Sequence, residues 1–207
     1  RSAYMRSVFG ARDARVDGVL RRSLLEDRFE TIQIDDAAGR ILEVLTRLHK
    51  PMRAVEIGTF FGYSAIYIAR GMPEGGRLTG LELSPRAARA ARRNLADAGL
   101  DDRVEVLEGD AAAYLATLAD GGLDMAFIDA EKADYPSYLK ALARKLRRGG
   151  LLIADDAFAD GVYGDTPGDT DREAAGVHAY NRAVAGSAHF DSAFIPTETG
   201  LMVSVRR

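Results

Sequence analysis

The sequence predicts an α/β domain built around a mostly parallel β-sheet. After residue 50, five short apolar runs alternate with segments that have helical periodicity. Strands that are joined in this way by helices pair in parallel, and the helices cover both faces of the sheet. The five predicted strands are Ala54–Ile57, Leu78–Leu83, Val104–Leu107, Met125–Ile128 and Leu151–Ala154.

The helices between these strands have recognisable start and stop signals. Ser84 followed by Pro85 is typical of an N-cap with proline at the first helical position. We interpret Gly149 and Gly150 as the end of the helix that precedes the fifth strand. The remaining helices are predicted to begin near Tyr63, Ala111 and Pro136.

The two ends of the chain complete the pattern. Residues 17–49 predict two helices, and the second begins at Asp35 with an apolar face made of Ile41, Leu42, Leu45 and Leu48. After the fifth strand we expect a loop over 156–172, a helix over 173–185, and strands near 189–195 and 201–206 that pair as an antiparallel hairpin. We predict a single domain over 1–207, with N-terminal helices in 1–50 and the sheet in 51–207.

Composition limits the classes of function. Hydrophobic residues make up 47% and charged residues 29% of the chain, which is typical of a soluble domain. The formal net charge of -3 argues against binding to nucleic-acid phosphates, and the absence of cysteine excludes disulfides and thiolate chemistry. No apolar run approaches the roughly 20 residues of a membrane-spanning helix. We therefore expect a cytoplasmic protein whose partners are neither nucleic acids nor membranes.

The turn after the first strand has the composition of a ligand site. Open parallel sheets bind ligands beyond the carboxyl ends of their strands, where the strand order reverses. Gly58 and Gly62 here follow the spacing G-x-x-x-G, which differs from that of dinucleotide binders. Glu56 precedes them, and a buried carboxylate needs a cationic partner such as the amine of a ligand. The alternative is a tight turn with a capping acid.

Acidic residues also follow the second and third strands. Glu82 could accept hydrogen bonds from the hydroxyls of a ribose, or it could be a solvated loop residue. Asp110 could accept a hydrogen bond from an adenine amino group while Ala111 donates its backbone N–H. Asp110 could equally be the cap of the next helix.

Three carboxylates follow the fourth and fifth strands, which we expect to be neighbours. They belong to Asp129, Asp155 and Asp156, and Lys132 comes one turn beyond Asp129. Clustered acids repel one another unless they are protonated or bound to a cation, and oxygen ligands suit Mg²⁺, Mn²⁺ or Ca²⁺. Each acid taken alone could be a loop or cap residue, but the three together favour a metal site.

These motifs resemble those of the cation-dependent O-methyltransferases, the family that includes catechol and caffeoyl-CoA O-methyltransferases and many bacterial relatives. The resemblance runs from about residue 30 to residue 207 and includes the segment after every strand. The matching segments are Ile32-Gln33-Ile34, V-E-I-G-T-F-F-G-Y-S from Val55, L-E-L-S-P from Leu81, E-G-D-A from Glu108, F-I-D-A-E-K-A-D-Y from Phe127, R-R-G-G-L-L-I-A-D-D from Arg147 and G-L-M-V-S-V from Gly200.

The resemblance implies the Rossmann-like fold of S-adenosylmethionine-dependent methyltransferases, with seven mostly parallel strands of which the last is antiparallel. It implies that the cofactors are S-adenosylmethionine and a divalent cation, most simply Mg²⁺. The acceptor would be a small hydroxyl compound, and two vicinal hydroxyls could chelate the cation together. Relatives commonly pair, so a homodimer is expected.

The resemblance also implies roles for individual residues. Glu56 would hold the methionine amino group, Glu82 would hold the ribose, and Lys132 would be the general base. The methionine carboxylate would lie against Gly58, Gly62 and Ser64, and the adenine against Asp110 and Ala111. The metal ligands would be Asp129, Asp155 and Asp156. Further cofactor contacts are predicted for Ile34, Tyr63, Leu83 and Asp129.

Two positions depart from the family pattern. Asp156 stands where the family usually has Asn, which adds a negative charge to the metal site. Glu131 stands before Lys132 where catechol enzymes have Trp, so the aromatic wall of a catechol pocket is not built in the same way. This difference argues against catechol itself as the acceptor.

Other functions fit the sequence less well. A nicotinamide-dependent oxidoreductase is disfavoured by the glycine spacing and by Glu56. A serine hydrolase built on Ser64 would need a second glycine after the serine. The alternative that remains is a protein of this fold that binds S-adenosylmethionine without catalysis or with a different specificity.

Overall fold

The computed structural model of the chain describes residues 8–9, 13–159 and 172–207. A seven-stranded sheet lies at its centre. Its strands are β1 Arg53–Ile57, β2 Arg77–Glu82, β3 Val104–Glu108, β4 Leu123–Ile128, β5 Leu146–Ala154, β6 Phe190–Ile195 and β7 Leu201–Arg206. Their order across the sheet is β3-β2-β1-β4-β5-β7-β6.

Helices connect the strands and cover the two faces of the sheet. Those that pack on it or precede it are α1 Ala14–Arg21, α2 Asp36–His49, α3 Tyr63–Gly71, α4 Pro85–Asp97, α5 Ala111–Thr117, α6 Tyr135–Lys145 and α7 Arg172–Ala185. A π-helical turn, Arg22–Glu26, extends α1, and a 3-10 turn, Lys132–Asp134, precedes α6. In the described part of the chain, no helix is both long and apolar enough to cross a membrane.

The predicted strands are present, and they pair in the predicted directions. The five strands β1 to β5 run parallel to one another. β7 runs antiparallel to both β5 and β6, so the expected antiparallel hairpin is present. The predicted helix over 173–185 corresponds to α7, whereas the predicted loop over 156–172 lies largely outside the described residues.

β1 lies at the point where the strand order reverses. It pairs with β2 on one side and with β4 on the other, so Ile57 is level with both Leu81 and Ile128. The chain leaves these strand ends in different directions and opens a crevice at the carboxyl edge of the sheet, the usual ligand position in such folds.

Each face of the sheet carries its own apolar core. On one face, α1 to α4 bury side chains such as Val19, Leu42 and Leu95. On the other face, α5 to α7 bury Leu115, Leu142 and Tyr180 among others. Full burial of one Leu or Val side chain contributes about 1.5–3 kcal/mol, so these two layers supply the main stabilisation of the fold.

The start of α2 is as predicted, but its buried face is not. Asp35 is the N-cap and its carboxylate accepts a hydrogen bond from the backbone N–H of Ala38 at 2.8 Å. Leu42 is buried but Leu48 is 74% exposed, so the predicted apolar face is not buried along its whole length. The buried face instead contains the small residues Gly39 and Thr46, because α3 packs against it at close range.

The glycine pair before the fifth strand also has a different role from the predicted one. α6 ends at Lys145, and Gly149 and Gly150 lie inside β5 rather than at a helix end. The register of β5 against β4 shifts in this region, because Leu123 pairs with Leu146 but Met125 pairs with Leu151. The prediction is wrong because glycines mark strand bulges as readily as helix ends.

Replacement of Gly39 by alanine tests the close packing of α2 on α3. A Cβ at this position would lie 2.6 Å from the Tyr67 ring, which is held by a 2.9 Å hydrogen bond from its hydroxyl to Asp36. We expect Gly39→Ala to lower the free energy of unfolding by about 1–3 kcal/mol, the usual cost of overpacking.

Gly18 in α1 provides the matched control. A Cβ there would meet nothing within 4 Å, so Gly18→Ala should raise the free energy of unfolding by about 0.5–1 kcal/mol. Urea denaturation of the two variants measures both effects. Equal stability changes in the two variants would contradict the packing we describe.

Candidate functional site

A cavity of about 650 Å³ opens at the carboxyl edge of the sheet, beyond β1, β2, β4 and β5. Its volume is within the usual range for a site that holds a cofactor-sized molecule. One wall is the extended segment from Glu30 to Ile34, which precedes α2. The opposite wall carries Lys132 and the residues around it, and Thr199 comes from the turn between β6 and β7.

The turn between β1 and α3 is built for close approach of the backbone. Gly58 has a φ of +88°, and a Cβ on it would lie 1.9 Å from the carbonyl oxygen of Asp129. No other amino acid fits there without a shift of the strand end. Gly62 is the N-cap of α3 and faces Ala91 of α4, so it shapes the turn without lining the cavity.

Glu82 is fixed at the edge of the cavity by two backbone donors. Its carboxylate oxygens accept hydrogen bonds from the backbone N–H groups of Phe60 and Ser84, both at 2.8 Å. Each carboxylate oxygen can accept a further hydrogen bond, so this arrangement leaves capacity for two hydroxyl donors. The contact also ties the end of β2 to the turn after β1.

Glu56 lies beneath this turn and not in the cavity wall. It is completely buried, and neither carboxylate oxygen has a hydrogen bond of ordinary geometry. Burial raises the pKa of Glu56 to about 7, although the hydroxyls of Ser64 and Thr59 act in the opposite direction. Glu56 does not line the cavity, so its contact with a ligand amine stays a prediction.

The other predicted cofactor residues divide into two groups. Asp110 is exposed, caps α5 by accepting a hydrogen bond from the N–H of Ala113 at 2.7 Å, and does not line the cavity. Its capping role is therefore seen directly, whereas its adenine contact stays a prediction. The residues predicted to contact the cofactor that do line the cavity, apart from Asp129, are Ile34, Gly58, Tyr63, Ser64, Glu82, Leu83 and Ala111.

The acidic side of the cavity is organised around Lys132. The ammonium Nζ lies 2.9 Å from Oδ1 of Asp129, and the side chains of both residues are about 15% exposed. Burial lowers the pKa of Lys132, but the charges of Asp129, Asp156 and Asp155 raise it by more, so the net shift is upward. The lysine thus serves as the counter-ion of all three acids.

Asp155 and Asp156 end β5 beside this ion pair, and both line the cavity. Burial raises the pKa of Asp155 far above the ordinary value for aspartate, and the charge of Asp129 raises it further. Asp156 has a φ of +55°, an uncommon conformation for a residue other than glycine. The structure therefore brings together the three acids that the sequence predicted as metal ligands.

Their side chains do not form a ready chelating group. Within residues 8–9, 13–159 and 172–207, no three His, Cys, Asp or Glu side chains converge closely enough to hold a metal ion. Asp129 is held by Lys132, and both oxygens of Asp155 accept from the hydroxyl of Thr199 at 3.2 and 3.3 Å. The donor chemistry fits a hard divalent cation, but these contacts must rearrange before the cation is bound.

Comparison with known proteins agrees with this geometry. A family model described as O-methyltransferase matches residues 10–207. The chain belongs to this family. A catechol O-methyltransferase of Niastella koreensis is 33% identical to it over 176 residues, which are 84% of this chain and 79% of that protein. The resemblance predicted from the sequence motifs is confirmed.

Two solved structures of O-methyltransferases are similar over nearly the whole chain. The enzyme of Bacillus cereus, in complex with S-adenosylhomocysteine, has a TM-score of 0.90 at 28% identity and covers 99% of this chain and 96% of its own. A second structure is that of an enzyme of Streptomyces achromogenes involved in tomaymycin synthesis, in complex with S-adenosylmethionine. Its TM-score is 0.88 at 30% identity, and the match covers 99% of this chain and 94% of that enzyme. The predicted fold and the class of S-adenosylmethionine-dependent O-methyltransferases are confirmed.

Sequence reasoning missed several residues of this O-methyltransferase site. Tyr138 of α6 lines the cavity near Ala111, and it reads in the sequence as an ordinary core aromatic. The Tyr135 hydroxyl lies 3.3 Å from the backbone carbonyls of both Ile128 and Asp155, and so bridges the ends of β4 and β5. Thr199 gave no signal, because it is distant in sequence from the aspartate that it contacts.

The contact between Thr199 and Asp155 can be tested by stability. Asp155 is 4% exposed, and loss of a hydrogen bond to a buried acceptor costs about 1–3 kcal/mol. We expect Thr199→Val, which keeps the shape of the side chain, to lower the free energy of unfolding by this amount. Thr199→Ser keeps the hydroxyl, so its free energy of unfolding should stay close to that of the unmodified protein. If chemical denaturation gave the same loss for both variants, the methyl group rather than the hydroxyl would be responsible.

Proposed function

We propose that this O-methyltransferase moves the methyl group of S-adenosylmethionine to a hydroxyl of a small vicinal-diol or catechol-like acceptor, with a divalent cation bound by Asp129, Asp155 and Asp156. The observation that carries the proposal is the pairing of Lys132 with Asp129 in the same cavity as the glycine turn. That cavity has room for the donor on one side and the acceptor on the other.

The donor half of the proposed site is the region between β1 and β2. The carboxylate of Glu82, already oriented by two backbone donors, would accept from the two ribose hydroxyls. Ser64 at the start of α3 and Ile34 in the opposite wall line the space for the methionine portion, and Ala111 lines the space for the base. The positive sulfonium of the donor would lie in a cavity with an excess of carboxylates, which favours its binding.

The chemical step is an in-line displacement. A bond forms between the acceptor oxygen and the methyl carbon as the bond from carbon to sulfur breaks, and the electron pair stays on the sulfur. The proton of the acceptor hydroxyl would move to Nζ of Lys132, which must first lose its own proton, because the surrounding acids hold it as an ammonium in the free protein. The protein contributes by alignment, because well-oriented groups held in one site avoid the entropic cost of meeting.

The three aspartates would supply the ligands of the cation, and a bound dication would supply Lewis acidity that lowers the pKa of a coordinated hydroxyl. Burial and, after it, the charge of Asp129 raise the pKa of Asp155, and a cation bound beside these acids would offset both effects, which supports this part of the proposal. The present contacts of Asp129 and Asp155 favour an alternative, in which transfer proceeds without metal and Lys132 with Asp129 suffices as the proton acceptor.

Replacement of Lys132 tests its role as the base. We expect Lys132→Gln to lower the rate of methyl transfer to a neutral ethyl-substituted catechol by about 10²–10⁴-fold, the usual contribution of general acid–base catalysis. Affinity for S-adenosylhomocysteine, measured by calorimetry, should stay unchanged. Lys140→Gln, an exposed lysine on α6, is the matched control and should retain full activity. Loss of cofactor affinity in Lys132→Gln would make this lysine structural.

Chelation tests the cation. We expect excess EDTA to abolish methyl transfer and Mg²⁺ or Mn²⁺ to restore it. Asp156→Asn should keep an oxygen ligand and retain activity with a modestly weaker metal affinity, whereas Asp129→Asn should be more damaging because that residue also contacts Lys132. Full activity in EDTA would support the metal-independent alternative. We further propose a homodimer, which sedimentation equilibrium can test.

A further inference from the structure

The charges that line the cavity are strongly unbalanced. Seven carboxylates contribute to its wall, and among the described lining residues Lys132 is the one basic side chain. The excess is local, because the chain as a whole has a net charge of only -3. Cavities lined by one sign of charge concentrate ligands of the opposite sign.

Most of these carboxylates have a partner in the proposed reaction. A dication together with the ammonium of Lys132 offsets Asp129, Asp155 and Asp156. The donor, which carries a sulfonium, an ammonium and a carboxylate, has one net positive charge and offsets Glu82. Three of the seven carboxylates are not offset in this way, namely those of Glu30, Glu131 and Glu173. Of these, Glu173 has an interaction partner within the protein, which leaves the charges of Glu30 and Glu131.

Glu30 and Glu131 approach the cavity from different elements. Glu30 precedes α2 in the extended wall segment, and Glu131 immediately precedes the 3-10 turn that carries Lys132. Both residues are exposed, and neither makes an ion pair with a residue that the structure describes.

A second observation points to a ligand rich in hydrogen-bond donors. The side-chain oxygen Oε1 of Gln33, in the same wall as Glu30, is buried and has no hydrogen-bond partner among the residues that the structure describes. A buried carbonyl oxygen without a donor is costly, and an N–H or O–H of a ligand would satisfy it. A carboxylate or phosphate of a ligand would be repelled by it.

We propose that the acceptor of this enzyme carries a positive charge, such as an ammonium group, on the part of the molecule remote from the reacting hydroxyl, and that Glu30 and Glu131 select for it. Acceptors that carry carboxylate or phosphate groups, including acyl-CoA thioesters, are disfavoured. The inference rests on the proposed function, since it concerns the acceptor side of that site.

Three catechols of similar size test the proposal. They carry an aminoethyl, an ethyl or a carboxymethyl group on the ring, and so differ mainly in charge. Exposed charge pairs are each worth little, but two carboxylates acting on ligands of opposite sign give a predicted ratio of kcat/KM, cation over anion, of roughly 10-fold or more at low salt. The ratio should shrink as the salt concentration rises.

Variants assign the effect to the two residues. In the double variant Glu30→Gln/Glu131→Gln we expect the ratio of kcat/KM, cation over anion, to approach one. Glu74→Gln is the control, since it removes the same charge from an exposed residue that precedes β2, at the opposite edge of the sheet. It should leave the ratio unchanged.

Failure of the inference and failure of the proposed function give different results. Absence of methyl transfer to every catechol, with the cofactor bound, would contradict the proposed acceptor class. In that case calorimetry still tests the inference. It measures the affinity of each catechol for the protein loaded with S-adenosylhomocysteine and Mg²⁺, and we expect the cation to bind more tightly than the anion. The inference is overturned if the anion binds or reacts as well as the cation at low salt, or if the double variant keeps the original ratio.

Discussion

The close contact between Gly58 and the backbone of Asp129 is the constraint on which the rest of the site depends. The two residues end neighbouring strands at the reversal point of the sheet, and the space between them excludes even one Cβ. In the proposed reaction the donor would bind beside the turn after β1 and the acceptor beside the segment after β4. This one backbone contact would then set the distance between methyl group and hydroxyl, on which alignment depends.

A shortage of positive charge is the second physical property of the site. Glu56 is buried without an ordinary hydrogen bond, and Lys132 alone faces three aspartates. Buried carboxylates are costly until a cation or a donor reaches them. The donor and the cation of the proposed reaction would both bring positive charge to this site, so their binding would offset part of the cost that the free protein carries.

The fold and most of the site could be predicted because their signals are local. Strand ends followed by glycine or acid are visible as short motifs, and Ser84 and Asp35 cap their helices as the sequence indicated. The failures come from tertiary packing. Leu48 is exposed because small residues form the contact of α2, and Gly149 lies in a strand bulge whose partner strand is not visible in the local sequence. Thr199 reaches Asp155 only through the pairing of β7 with β5.

The extended segment before α2 links the two halves of the cavity. At its start, the Phe29 ring packs against Phe60 of the turn after β1, with centroids 5.1 Å apart. At its end, the Asp35 carboxylate accepts a hydrogen bond from the N–H of Glu198 at 3.1 Å, next to Thr199. The segment is thus held by the donor side at one end and by the acceptor side at the other. Because Glu30, Gln33 and Ile34 lie between these anchors, a shift at either end would move all three together. In the proposed reaction, cofactor affinity and acceptor selectivity would therefore be coupled through one short piece of backbone.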